Sequence, residues 1–455
     1  MAYDGKRASF SGKMGFIFAT AASAVGLGNL WRFPYEVSHN GGGIFVLIYL
    51  ILAFTFGTCL MMMEIAYGRR TGKSGVAAFL EYSKKFRIIG YLTTLTPIIM
   101  VSYYCAIGGW VLKWFFETLL GNLSELAGDG SYWIDFITGS MSEGLLGPML
   151  WFLIFASICM FFISMGVNKG VERMSMILMP ITFILIIGII LYELFCVDGV
   201  MDGVAFYLDP DLSELSPDTF VAAISQVFFS LSISIGVLVT YGSYISKDVD
   251  LERSAISVVL VDSTVAFLAG LMIIPVAFIF GHQDSSGMGL MFTALPQVFQ
   301  TMPGGNIVAP IFYLMVFFAA ITSAASLSEA AVSSISDSRK LSRKKSAGAL
   351  MAIMLVLGTI CVLGFDKGPL FIDGMGETTG WLGIMDSFIN IFLMPLAAIL
   401  MCVLIGYVLK TRFIEEEITV SSKFRLKPMF KVMVMVIAPV FLAIILIVGV
   451  IGLVT

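Results

Sequence analysis

The stretch AVGLGNLWRFP, residues 24–34, sets Gly26, Gly28, Asn29, Arg32 and Pro34 inside an apolar run that begins near Met14. Glycine and proline loosen a helix, and a loosened helix leaves carbonyls and N–H groups without intrahelical partners. At membrane depth such backbone is tolerated only inside protein or beside a water-filled cavity. Freed carbonyls can ligate a cation, and the N-terminus of a half-helix can face an anion. Close helix packing explains small residues. It does not explain an amide at Asn29 and a guanidinium at Arg32. A second interruption, SQVFFSLSISIG at 225–236, is dense in hydroxyls and ends in glycine.

Further polar residues interrupt other apolar runs. Asp262 lies in VLVDSTV, and Thr322, Ser323, Ser326 and Ser328 lie in AAITSAASLSE at 319–329. Asp386, Asn390 and Glu64 are the remaining intrusions. A carboxylate in hydrocarbon costs about 2.5 kcal/mol or more, which makes each one a functional candidate. The plainer alternatives are a hydrogen bond from the broken helix to Glu64, and back-bonding of Thr322 and Ser323 to carbonyls one turn earlier. Enzyme chemistry has little to work with. His39 and His282 are the two histidines, both in loops, and no HExxH or Ser/His pairing is present. The six cysteines lie almost all in apolar runs, without zinc or disulfide spacing.

The elements that must position these groups are membrane spans. The chain has 455 residues, 58% hydrophobic and 13% charged, against about half and a quarter in soluble domains. Runs of about 20 apolar residues give eleven spans, at 14–37, 42–68, 88–120, 147–165, 173–197, 217–243, 251–281, 308–337, 347–364, 381–409 and 430–453. The first run continues as a full span, so no cleavable leader is expected. Of the 27 basic residues, all but Arg32, Lys113 and Lys367 fall in loops of one side. The positive-inside bias then predicts a multi-pass protein of the cell (inner) membrane, with a cytoplasmic N-terminus and an external C-terminus. This segregation of charge, at a net −4, gives no reason to expect a nucleic-acid partner. The interruptions in spans one and six stand five spans apart, so the second copy enters the membrane upside down. The expected fold is all-α, a single transporter domain over 1–455. Two inverted five-helix repeats, 14–197 and 217–409, are followed by an eleventh helix at 430–453. Paired interruptions of this kind mark a midplane binding site in transporters.

AVGLGNLWRFPY, with NGGG at 40–43 and GRRTGKSG at 68–75, resembles the neurotransmitter:sodium symporter family. The similarity runs from about residue 7 to 450 and is to the bacterial amino-acid branch, which includes eleven-span transporters. It implies two sodium ions. The first would be held by the Ala24 carbonyl, Asn29, Ser230 and Asp262, completed by the substrate carboxylate. The second would be held by the carbonyls of Ala22, Val25 and Ala319 with the hydroxyls of Thr322 and Ser323. Such neutral oxygens suit a hard monovalent cation. An amino-acid substrate would lie among Ala24, Gly26, Leu27, Gly28, Met100, Tyr104, Phe229, Ser230, Ser232, Ile235, Ser323 and Leu327. Tyr104 would donate to its carboxylate and Phe229 would cover it. Arg32 and Asp386 would form the outer gate. Arg7, Asp337 and Tyr244 would form the inner one, plugged by Phe10.

The resemblance has two departures. Asp262 stands where the family has Asn, and Ile235 where it usually has Phe. Chloride-dependent relatives hold an anion with four side chains, whose places here are Tyr49, Gln226, Ser230 and Ala266. Ala266 cannot donate a hydrogen bond, and Asp262 offers a built-in negative charge, so no chloride requirement is expected. Gly26 replaces the Asp of monoamine transporters and leaves room for a substrate carboxylate. Gly170 and Pro180 resemble a spacing at which the fifth span opens toward the cytoplasm. The expected function is sodium-coupled amino-acid symport of hydrophobic or aromatic side chains within membrane lipid. Proton coupling on the same fold is the alternative. A sensor of transporter ancestry would usually carry a signalling extension.

Overall fold

The computed structural model describes residues 8–452 except 83, 129, 142, 143, 145, 283, 284, 286, 366–368 and 373–379. Every regular element among the described residues is helical. The first apolar run is two helices, α1 (Lys13–Ala24) and α2 (Gly28–His39), bent by 52° about the glycines. Then follow α3 (Gly43–Thr71), α4 (Arg87–Leu119), α5 (Leu146–Ser164) and α6 (Val167–Cys196). A pair of shorter helices comes next, α7 (Pro217–Ser230) and α8 (Val237–Gly242). The chain continues as α9 (Leu251–Ile279), α10 (Gly305–Arg339), α11 (Arg343–Leu363) and α12 (Gly380–Val408). A short helix rich in glutamate, α13 (Arg412–Ile418), precedes α14 (Lys427–Ile451).

Among the described residues, nine helices are long and apolar enough to cross a membrane, or ten if the bent α1–α2 pair is one span. In lipid the backbone must satisfy itself, and a helix does so within its own segment. The two longest, α4 and α10, lie along each other at the centre of the bundle. α4 is 89% buried over its apolar window, whereas α14 is 22% buried and lies at the periphery. Most boundaries fall close to the expected ones. The clearest shift is α6, which starts at Val167 instead of Arg173. A wide π turn over VNKGVE adds six residues, and hydropathy missed them because they are polar. This helix is continuous over Gly170, with Pro180 inside it.

The expected sixth span is in two pieces. Ser216 caps α7 by accepting from the Thr219 N–H at 3.2 Å, and Pro217 fills the first turn, where its missing donor costs nothing. The helix stops at Ser230, and Leu231–Gly236 is non-helical before α8 begins. Ser232, Ser234 and Gly236 have φ of 54°, 62° and 91°. Three alternate left-handed residues cannot continue a right-handed helix.

Candidate functional site

The break between α1 and α2 faces α4 and α10. Gly26 lies where a Cβ would come 2.6 Å from Ser323 Oγ and 2.7 Å from the Tyr104 hydroxyl. A Cβ on Gly28 would meet the Phe229 ring at 2.6 Å. Only glycine lets the backbone come this close. The Leu27 N–H, released by the break, donates to the Tyr104 hydroxyl at 3.0 Å. Ser323 Oγ lies 2.9 Å from the Val25 carbonyl, 3.2 Å from that of Ala22 and 3.4 Å from that of Ser23. Thr322, one residue earlier on α10, donates to the Ala319 carbonyl at 3.1 Å and to Phe318 at 3.0 Å. The plain back-bonding reading of Thr322 therefore describes its geometry. Ser323 instead reaches across to the carbonyls of Ala22 and Val25 on the broken helix.

Three of the groups expected around the first cation, Asn29, Ser230 and Asp262, form a polar cluster with Tyr49. Asn29 Nδ2 donates to Asp262 Oδ1 at 2.9 Å and to Ser230 Oγ at 3.1 Å, while its Oδ1 accepts from the Gly26 N–H at 3.1 Å. The Ser230 hydroxyl donates to Asp262 Oδ2 at 2.8 Å, and the Tyr49 hydroxyl reaches the same oxygen at 3.3 Å. All four side chains are buried. The carboxylate of α9 thus takes hydrogen bonds from α2, α3 and α7, at the ends of both breaks. Gln226 Nε2 donates to the Gly28 carbonyl at 3.2 Å, and Ala266 is buried. Of the other expected substrate contacts, Ser232 Oγ bonds the Ser23 carbonyl at 3.2 Å. Ala24, Met100, Ile235 and Leu327 are buried, and Phe229 is half-buried.

The two residues expected to pair at the outer gate take other partners. Arg32 bonds Glu36 at 3.3 Å and lies over the Phe229 ring at 5.0 Å. Asp386 accepts from the Tyr103 hydroxyl at 2.8 Å. Arg32 thus takes a partner one turn along its own helix, the local i,i+4 geometry, instead of Asp386. On the opposite side, Arg7 lies outside the described residues. Asp337 accepts from the backbone N–H of Ser74 at 2.9 Å and its hydroxyl at 2.8 Å. The Tyr244 hydroxyl donates to Glu329 at 2.8 Å, and Arg343 pairs with the same glutamate. Phe10 is buried edge-on against Phe16, Tyr241 and Tyr244, and its N–H donates to the Tyr244 carbonyl at 3.2 Å. Sequence reasoning missed Glu172, which accepts from the Ser11 N–H and hydroxyl and ties the N-terminal segment to α6. It also missed the Glu329–Arg343 pair. A carboxylate beside a glycine near a span end was the one available signal for Glu172.

Comparison with known proteins finds similarity over most of the chain. The family model for the sodium:neurotransmitter symporter family matches residues 7–135 and 131–455. The uncharacterized sodium-dependent transporter YhdH of Bacillus subtilis is 34% identical over 403 residues, 88% of this chain and 88% of that protein. The sodium- and chloride-dependent GABA transporter 2 of Mus musculus is 26% identical over 435 residues, 85% of this chain and 72% of that protein. A crystal structure of MhsT in complex with L-phenylalanine superposes with a TM-score of 0.83 at 32% identity, over 98% of this chain and 100% of that one.

Proposed function

The chain belongs to the sodium:neurotransmitter symporter family, and from that membership we propose a sodium-coupled symporter of amino acids with apolar or aromatic side chains, working by alternating access without chloride. The observation that carries this reading is the Asp262 cluster, a buried carboxylate bonded by Asn29, Ser230 and Tyr49 beside the break that bears Gly26. MhsT, similar over its whole length, was crystallised with L-phenylalanine, which supports an amino acid as the cargo. Gly26 supports it too, because no side chain there supplies the negative charge that an amine substrate lacks.

Sodium is carried with the substrate. The first ion is assigned to Ala24, Asn29, Ser230, Asp262 and the substrate carboxylate. The second is assigned to Ala22, Val25, Ala319, Thr322 and Ser323. The convergence of the Ser323 hydroxyl on the carbonyls of Ala22, Ser23 and Val25 supports this second assignment. Such a set of neutral oxygens suits sodium better than a proton. Each charge moved across 100 mV is worth about 2.3 kcal/mol, so two ions sustain a substrate gradient of roughly a thousandfold before any sodium concentration term.

Independence from chloride rests on Asp262. Two cations and one substrate carboxylate leave a net positive charge, and a fixed carboxylate lowers the cost of burying them. Tyr49 and Ser230, two of the donors that would hold an anion, are turned to Asp262. Taking α7 and α8 as the halves of one span gives eleven spans. It also gives the inverted repeats and an external C-terminus, in keeping with the one-sided basic loops. Arg32, Phe229 and Asp386 are assigned to the outer gate, and Arg7, Phe10, Tyr244 and Asp337 to the inner one.

The test is sodium-driven uptake into proteoliposomes, with all twenty amino acids as competitors. Competition by phenylalanine, tyrosine, tryptophan or leucine is expected. Equal uptake in sodium-free buffer under an imposed pH gradient would instead establish proton coupling.

A further inference from the structure

Four helices meet around a group of sulfurs. α4 brings Cys105, α5 Cys159, α10 Ser328 and α11 Met354, and all four side chains are fully buried. The Cys105 thiol donates to Met354 Sδ at 3.7 Å. The Cys159 sulfur lies 3.3 Å from Ser328 Oγ. The two thiols also hydrogen-bond each other. Glycines let α4 and α5 come this close. A Cβ on Gly108 would meet the Phe155 ring at 2.4 Å, and one on Gly109 would lie 2.6 Å from the Trp151 carbonyl. The other cysteines stand differently. Cys361 has the thioether of Met385 at 3.5 Å, Cys59 and Cys402 are buried, and Cys196 is exposed. Among the described residues, Cys105 and Cys159 are the one pair of thiols in mutual contact.

A buried cysteine by itself is a small hydrophobe. Two thiols converging with a thioether are a soft donor set. They are too few for a structural zinc site, which takes four ligands. A soft ion that prefers linear coordination needs only the two thiolates. Charge then selects its valence. Binding a metal releases the thiol protons. A divalent ion on two thiolates is neutral, so the complex escapes the penalty on charge in this interior, whereas a monovalent ion would leave a net negative charge. We propose that Cys105 and Cys159 form a chelating site for one soft divalent ion of the mercuric type, with Met354 Sδ as a weaker third donor. Loading is an exchange without oxidation. Two S–H bonds break, two mercury–sulfur bonds form, and from mercuric chloride two protons and two chlorides leave. The incoming salt is uncharged and can approach through lipid, since α5 is only 39% buried over its apolar window. Cys105 follows Tyr104 and Ser328 follows Leu327, so the ion ties α4 to α5 one residue behind two expected substrate contacts.

The chelate is tested by what survives a competing monothiol. Purified protein, reduced with a phosphine, is loaded with mercuric chloride, washed in excess 2-mercaptoethanol and assayed for bound mercury. A lone cysteine such as Cys196 holds mercury no better than the thiol in the wash and is stripped. Two thiols fixed side by side gain from effective concentration, a retention advantage of about a hundredfold or more. The native protein should keep about one ion per chain and release it to the dithiol 2,3-dimercaptopropanol. Cys105→Ser and Cys159→Ser should each keep none, while Cys361→Ser and Cys402→Ser should keep it. Met354→Leu, close in volume, should hold the ion but lose it a few-fold faster.

Native protein stripped bare by the monothiol would overturn the site. So would Cys105→Ser or Cys159→Ser protein that retains as much mercury as the native chain. If a serine variant does not fold, anomalous X-ray scattering from a mercury-loaded crystal of the native chain decides. A peak bonded to both Sγ atoms is expected. A peak at Cys196 with none between α4 and α5 would overturn the proposal. Neither readout involves sodium or an amino acid, so this site and the transport function stand or fall separately.

Discussion

The two backbone breaks are held in different ways. At Val25–Leu27 the released groups are answered by neutral hydroxyls from other helices, Tyr104 of α4 on the Leu27 N–H and Ser323 of α10 on the Val25 carbonyl. At Leu231–Gly236 the carboxylate of Glu64 on the adjacent α3 takes the backbone N–H of Ser234. A neutral hydrogen bond contributes only about 1 kcal/mol net, so the first break exchanges partners cheaply. The second is held by a carboxyl oxygen on a backbone N–H and by close backbone contact with α3. Asp262 joins the two, since Asn29 lies past the first break and Ser230 just before the second.

This comparison can be sharpened by variants, and the largest effect is expected at its junction. Asp262→Asn removes the charge that both breaks share. Losing one partner of a buried charge cluster costs about 3–5 kcal/mol, so sodium-dependent binding should fall at least a hundredfold in gluconate buffer, with recovery in chloride. Native-like binding in gluconate would detach Asp262 from the ions. Gly26→Ala comes next. Its Cβ would press on Ser323 Oγ at 2.6 Å and the Tyr104 hydroxyl at 2.7 Å. Both neighbours are ends of side chains, and displacing both should weaken phenylalanine binding by about tenfold to a hundredfold. An unchanged dissociation constant would place the substrate elsewhere. Ser323→Ala should reduce sodium affinity by about fivefold, the worth of one hydrogen-bonding group. Its thermal unfolding in sodium-free buffer should stay close to native. A large loss of stability there would make the first break as rigid as the second. The smallest effect is expected at Pro180→Ala, remote from both breaks. A proline-weakened helix opens more readily, so turnover should slow a few-fold while equilibrium binding stays intact. Unchanged turnover would remove α6 from the transport cycle.

Much of this site was legible because chemistry at odds with its surroundings stands out. Gly26, Gly28, Asn29 and Asp262 violate the composition of a lipid span, and the structure brings Asn29 and Asp262 to 2.9 Å. Glu64 was legible as a candidate by the same rule. Its partner was not, since nothing in SISIG marks Ser234 as left-handed. The pairing expected between Arg32 and Asp386 illustrates a different limit. Arg32 has Glu36 one turn away on its own helix, and a sequence cannot weigh that local partner against a distant Asp386. Glu172, Glu329 and Arg343 sit toward span ends, where charged residues are common. There a buried ion pair and a solvated side chain have the same one-dimensional signature. The expected sixth span passed the hydropathy reading as one run, but its halves, at 14 and 6 residues, are each too short to cross as a helix.

The most direct measurement is uptake of L-phenylalanine into proteoliposomes under an inward sodium gradient, with chloride replaced by gluconate on both sides. Rapid accumulation that matches the rate in chloride, and that vanishes when sodium is replaced by potassium, is the predicted result. Uptake that persists without sodium, or that collapses in gluconate, would contradict an ion site completed by Asp262.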